Sequence, residues 1–195
     1  MRSRLAVVVC LLSLPVAARA ELVERILAVV DGRPLMLSEV RLLQALRGLG
    51  GAQALEALID ERLMFREAMR LPQAAVTVAE EERAYASLKE KLPEGVAEEE
   101  SLRRLARRQT AIVKYIDVRF RPQVRIAEAA VRDAYASEYG DRPGAPPLAG
   151  VEEALRRRLT DRALDGKIEA WVKELRAAAE VQYNRVFTEQ GAAPP

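Results

Sequence analysis

A strand-turn-strand pattern lies near the start of a chain that is otherwise helical in pattern. The stretch RILAVVDGRPLMLSEV, residues 25–40, predicts two strands joined by an Asp-Gly turn and followed at once by a helix. Pro34 limits pairing in the second strand, which we therefore expect to be short. A two-stranded ribbon is only marginally stable in water, so this hairpin requires a partner from elsewhere in the chain.

Helical periodicity fills most of the remaining sequence, and Ala, Leu, Glu and Arg are abundant in it. The first helix is predicted from an N-cap at Ser38 to about Arg47, and the others over about 53–70, 78–92, 98–121, 128–138 and 151–180. After them, EVQYNRV at 180–186 alternates like a strand. The predicted fold class is mainly α, a helical bundle with a small antiparallel β-sheet formed by the N-terminal hairpin and a C-terminal strand.

The first twenty residues have the pattern of a cleavable export signal. Arg2 and Arg4 precede an apolar run, and ARA at 18–20 follows it with small residues, which predicts cleavage near Ala20. We therefore expect a periplasmic protein with no integral membrane span. Cys10 raises the alternative of a lipoprotein, but VVVC lacks the small residue that normally precedes a lipidated cysteine.

The part of the chain that follows this signal lacks the side chains of many catalytic and metal sites. The sequence contains no histidine, and Cys10 is its only cysteine, which excludes disulfides, Cys/His zinc sites and Ser-His-Asp triads from residues 21–195. We predict no catalytic residue, no cofactor and no metal. Carboxylate pairs such as Asp60 and Glu61 are expected on polar faces rather than in a reactive site.

The charge balance argues against a nucleic-acid partner. Residues 1–20 hold three of the 31 basic residues and none of the 29 acidic ones, so the remainder is nearly neutral. The basic cluster RRLARR at 103–108 is preceded by acidic residues that compensate it, and we expect it to form a solvated face.

The chain divides at a segment rich in proline and glycine. DRPGAPPLAG, residues 141–150, is predicted to be a linker between a helical module at 21–140 and a closing helix and strand at 151–186 that pack back on it. Residues 187–195 are expected to be a disordered tail. A homodimer formed by swapping of the closing helix is a further expectation, since the linker can carry that helix to a second copy.

Several of these segments, in this order, resemble the SurA-like family of exported chaperones. The matching segments are ILAVVDGRPLMLSEV, ALEALIDERLMFREAMRL, VTVAEEE, SLRRLARRQTAIVKYIDVRF and VRIAEAAVRDAYASEY, followed by EALRRRLTDRALDGKIEAWVKELRAAAEVQY. The likeness extends over nearly all of residues 22–184. Members of this family commonly carry parvulin-type prolyl isomerase domains between the N-terminal module and the closing helix. Here only the ten-residue linker occupies that place, which argues against isomerase activity.

The resemblance implies an ATP-independent holdase that binds unfolded envelope or outer-membrane polypeptides in an apolar groove between helices. Four side chains are predicted to bind peptide, because methionine and phenylalanine can repack against different sequences: Met36, Met64, Phe65 and Met69. The alternative for each is an ordinary core position, which is what we expect of Trp171. The alternative for the whole protein is a dedicated partner-binding subunit of a cell-envelope assembly.

Overall fold

The computed structural model describes residues 24–140 and 142–184; the predicted export signal, Cys10 and the predicted tail lie outside them. Within these residues the protein is mainly helical with one small antiparallel sheet, which confirms the predicted fold class. The elements in chain order are β1 (Ile26–Val30), β2 (Arg33–Met36), α1 (Leu37–Arg47), α2 (Gly51–Ala68), α3 (Val78–Lys89), α4 (Glu99–Arg119), α5 (Glu128–Tyr139), α6 (Leu148–Ala177) and β3 (Val181–Tyr183).

The sheet joins the two ends of the described chain. Asp31 and Gly32 form the turn of the hairpin with positive φ angles of 47° and 75°, which an Asp-Gly pair tolerates. The strand order is β2-β1-β3, and both pairings are antiparallel. The Asp31 N–H donates to the Glu180 carbonyl at 2.9 Å, and the Asn184 N–H donates to the Leu27 carbonyl at 2.9 Å. The predicted C-terminal strand therefore exists, and it is the partner of the hairpin.

The main core lies between this sheet, α1 and α2. Its largest fully buried side chains come from all three, because each presents one continuous apolar face to the others: Leu27, Leu35, Leu43, Leu55, Leu58, Ile59 and Leu63. Helix α2 also contacts α4 and α6. The apolar character round most of α2, evident in the sequence, is explained by this packing on several sides.

Helices α3 and α4 pack together as an antiparallel pair beside α1. A capping box starts α3: the Glu80 N–H donates to the Thr77 hydroxyl at 3.3 Å, and the Thr77 N–H donates to the Glu80 carboxylate at 2.8 Å. This backbone hydrogen bond and the ammonium of Lys114, 2.9 Å away, lower the pKa of the Glu80 carboxyl to about 2. Glu80 thus ties the start of α3 to the middle of α4.

The C-terminal half of α6 is held on α2 by ion pairs and on α4 by aromatic stacking. Arg176 binds the carboxylates of Glu56, at 2.7 Å, and of Asp60. Trp171 is buried and stacks on Tyr115, with ring centroids 4.8 Å apart and planes 15° apart. The expectation that Trp171 is a core residue is confirmed.

Two predicted helix starts are wrong. Helix α1 begins at Leu37 rather than after Ser38, because β2 runs directly into it and the Leu37 N–H still donates to Arg25 across the hairpin at 2.8 Å. Helix α6 begins at Leu148, inside the predicted linker, with Pro147 as its N-cap residue. Gly150 is accommodated in the first turn of that helix.

Two charged side chains predicted to lie at the surface are buried instead. Glu61 is 2% exposed and Arg108 is 5% exposed, and the Arg108 Nε donates to a Glu61 oxygen at 2.9 Å. Gln109 donates to the other carboxylate oxygen at 3.2 Å. Arg108 therefore does not belong to a solvated face, nor Glu61 to an exposed polar one, because each supplies the counter-charge that allows the other to be buried.

Candidate functional site

A groove of about 420 Å³ lies between the turn of the hairpin and the C-terminal half of α2. We call it the hairpin groove. Three buried side chains, Val30, Leu35 and Leu63, contribute to it from the sheet and from α2. Two more, Phe65 and Met69, are less buried, and Met69 is 47% exposed. The groove therefore combines a fixed apolar base with a flexible thioether that solvent can reach, a combination suited to contact with varied apolar groups.

The structure brings together only two of the four predicted peptide-binding residues. Phe65, on α2, and Met69, directly after the last residue of that helix, line the hairpin groove. Met64 is half-buried against the cluster that contains Trp171. Met36 is also half-buried and lines a different recess, of about 350 Å³, between α1 and the start of α4. Whether any of the four binds peptide stays a prediction, but they do not form one continuous surface.

Charged residues surround the apolar base of the hairpin groove. Arg62 forms two hydrogen bonds with the Glu39 carboxylate, at 2.6 and 2.8 Å, and Arg66 pairs with Asp31. Arg70 pairs with Glu67 at 3.0 Å on an exposed face. The guanidinium of Arg33 forms no ion pair with any described residue. Among the described residues, the groove therefore has more cationic groups than acidic partners for them.

Two guanidinium nitrogens at this groove lack a hydrogen-bond partner. The Nε atoms of Arg62 and Arg66 are buried, and no described residue accepts from either. A buried donor without an acceptor costs about 1–3 kcal/mol, so both atoms represent unused binding capacity.

Asp31 connects the hairpin groove to the closing strand. One of its carboxylate oxygens accepts from the Glu180 N–H at 3.0 Å, and the other is bound by Arg66 of the groove. The same residue occupies the tight turn with a positive φ angle. The hydrogen bond from Glu180, which follows α6, therefore helps to fix the position of the turn and so of one wall of the groove.

Two other recesses are at least as large, but neither has a methionine among the described residues that line it. One of about 670 Å³ lies at the end of the α3–α4 pair and is lined by Tyr85, Leu92 and Leu102 together with charges of both signs. The other, of about 440 Å³, is lined by Tyr115 and Trp171, whose rings already stack on each other. We therefore take the hairpin groove as the candidate site.

The described residues contain no group of three or more acidic, cysteine or histidine side chains placed to hold a metal ion. The buried carboxylate of Glu61 accepts hydrogen bonds on both oxygens, from Arg108 and Gln109, so it serves as a structural anion. The chemistry that the groove offers is apolar contact and hydrogen bonding to anionic groups.

Among the described helices, none is both long enough and apolar enough to cross a membrane.

The sequence predictions missed the arginines of the groove. Arg62 and Arg66 are four apart on α2, and Arg70 follows four residues later, just past the end of the helix, so the three continue one row beside Phe65 and Met69. That spacing was a signal for a basic edge to the apolar face. Arg33, which comes from the hairpin, carries no such signal, because only the tertiary structure places it there.

No protein-family model matches the chain, and the curated proteins include none that is similar enough to count as a relative.

Proposed function

We propose that the protein is an ATP-independent chaperone that holds unfolded polypeptides in the hairpin groove. The observation that carries the proposal is the groove itself, where Met69, 47% exposed, stands beside the buried base of Leu35 and Leu63. Exposed apolar surface with an adaptable side chain is what binding to many sequences requires. The SurA-like pattern of the sequence supports the same function, and the export signal pattern supports its location in the periplasm.

The test is suppression of aggregation by the purified protein, measured by light scattering on several unrelated unfolded proteins. We expect near-stoichiometric protection, because each molecule would occupy one exposed segment. Met69→Gln should lose at least half of this protection, since the substitution keeps the shape of the side chain but places an amide at the contact. Its melting temperature should stay close to that of the unaltered protein, because Met69 is exposed.

The control variant is Val78→Thr, which changes an apolar side chain that is 86% exposed and lies outside the groove. It should protect as well as the unaltered protein. Failure to protect any unfolded protein would overturn the chaperone proposal and favour the dedicated partner-binding subunit. Equal protection by the Met69→Gln variant would place the binding surface elsewhere.

We further propose that the protein has no prolyl isomerase activity, because only residues 140–147 separate α5 from α6, at the place where isomerase domains occur in SurA-like proteins. Refolding that is limited by proline isomerisation should proceed at the same rate with and without the protein. A marked acceleration would contradict this proposal.

A further inference from the structure

We infer that the hairpin groove selects polypeptide segments that carry a carboxylate side chain next to an apolar one. This inference rests on the proposed function, and it adds a chemical class of ligand to a site so far defined by shape and apolarity.

The first argument is the balance of charge at the groove. Four arginines line it, whereas Asp31 is the only acidic residue in the described part of the chain that does so. Glu39 and Glu67 compensate two of the arginines from outside, and Asp31 compensates a third. The exposed guanidinium of Arg33 has no acidic partner among the described residues. A ligand with one negative charge completes this balance, whereas a cationic ligand would oppose it.

The second argument is the pair of unused donors. The buried Nε atoms of Arg62 and Arg66 have no acceptor, although each residue has already bound one carboxylate through its terminal nitrogens. A guanidinium holds five donors in a fixed plane, so it can serve two carboxylates at once. A carboxylate that enters beside these residues would find two N–H donors that no described residue uses.

The third argument concerns the apolar neighbour. Phe65, near the end of α2, and Met69, directly after it, line the same groove as the arginines. A carboxylate bound there has an apolar surface directly beside it. A ligand that offers only charge would leave Met69 in water, and one that offers only apolar groups would leave Arg33 without a partner.

The edge of the sheet argues for recognition by side chains rather than by added strand pairing. The outer edge of β2 is free of strand partners among the described residues, but Pro34 has no N–H. Val30 and Arg33 flank the two-residue turn as a hydrogen-bonded pair, which places position 34 where an N–H would face outward. A peptide cannot readily extend the sheet along this edge, so its side chains must supply the selectivity.

The experiment measures fluorescence anisotropy of two short labelled peptides that differ in one group. Both have a polar, unstructured sequence around a central residue flanked by leucines; that residue is glutamate in one peptide and glutamine in the other. At low ionic strength we expect the full-length protein to bind the glutamate peptide about five- to tenfold more tightly. This preference should shrink as salt is added, because the charges are partly exposed and are screened.

Arg33→Gln should reduce the preference to less than about twofold. Arg107→Gln is the matched control, since Arg107 is an exposed arginine on α4 that also forms no ion pair with a described residue and does not line the groove. It should keep the full preference. Equal binding of both peptides by the unaltered protein, or no binding of either, overturns the inference, as does an unchanged preference in the Arg33→Gln variant.

These outcomes are separate from those of the chaperone test. Protection of unfolded proteins without a preference for glutamate would refute the inference and leave the proposed function intact. A preference for glutamate without any protection would support the inference and refute general chaperone activity.

Discussion

Removing one member of the buried ion pair between α2 and α4 should be among the most costly single substitutions in this protein. The side chains of Glu61 and Arg108 are 3% and 7% exposed, and their hydrogen bond is 2.9 Å long. Arg108→Ala would leave the Glu61 carboxylate buried, with Gln109 as its remaining close donor and Arg47 at 3.7 Å. An uncompensated buried charge costs about 3–5 kcal/mol.

That loss is a large fraction of the total stability of a typical domain, which is about 5–15 kcal/mol. For a chain of this size, 1 kcal/mol corresponds to a change of about 2–4 °C in melting temperature, so the Arg108→Ala variant should melt roughly 6–20 °C lower. The measurement is thermal unfolding followed by far-ultraviolet circular dichroism. Arg107→Ala, at the exposed neighbouring position, serves as the control and should change stability by less than about 0.5 kcal/mol.

Replacing both members of the pair should be less harmful than replacing one. In a variant with Glu61→Leu and Arg108→Met, no charge of the pair remains buried without its partner, and apolar groups of similar size occupy the space. We expect it to recover most of the stability that Arg108→Ala loses. An Arg108→Ala variant that melts within about 3 °C of the unaltered protein would refute this reasoning, as would a double variant less stable than both single ones.

Three further predictions concern other contacts. The folded-state pKa of Glu80 is about 2 against an ordinary value of 4.5, so its contribution to stability is complete above pH 4.5 and is lost as the pH falls toward 2. Glu80→Gln should therefore lower the melting temperature above pH 4.5 and have no effect near pH 2; a difference that persists at the lower pH would contradict the assignment. Trp171, the single tryptophan, should emit at short wavelength and shift to the red together with the loss of helical signal, because it is buried in the contact of α6 with α4. Separate transitions would indicate that α6 detaches independently. Val29 and Gln182 are paired in register across β1 and β3, so Val29→Cys with Gln182→Cys should form an intramolecular disulfide on mild oxidation, detectable by mass spectrometry. Absence of the bond would count against the observed register.

Elements whose conformation depends on neighbouring residues were predictable from the sequence. The errors arose where contacts with residues distant in the sequence determine the structure. The Asp-Gly turn and the Thr77 capping box depend on neighbours within a few residues, and both are present. Ser38 was chosen as a helix cap on its residue type, but a hydrogen bond from Leu37 across the hairpin fixes the start of α1 earlier. Gly150 is a poor helix former, yet the structure includes it in α6, because a cost of about 1 kcal/mol is easily exceeded by the packing of so long a helix.

The candidate site could be predicted only in part. Phe65 and Met69 belong to a face of α2 whose apolar width was evident, so their partial exposure could be anticipated. The burial of Glu61 could not, because its partner is 47 residues away along the chain and nothing in the local pattern links the two. The position of Arg33 at the same groove likewise depends on how the hairpin docks on α2.

The strand order β2-β1-β3 has a consequence for the order of events during translation. The hydrogen bonds of Asp31 with Glu180 join residues 149 positions apart, so the sheet stays incomplete until β3 has left the ribosome. Until then the nascent hairpin has an unpaired backbone edge on β1, which can pair with strands of other molecules. Strand β3, which follows every other described element along the chain, therefore completes a sheet whose hairpin comes first among them.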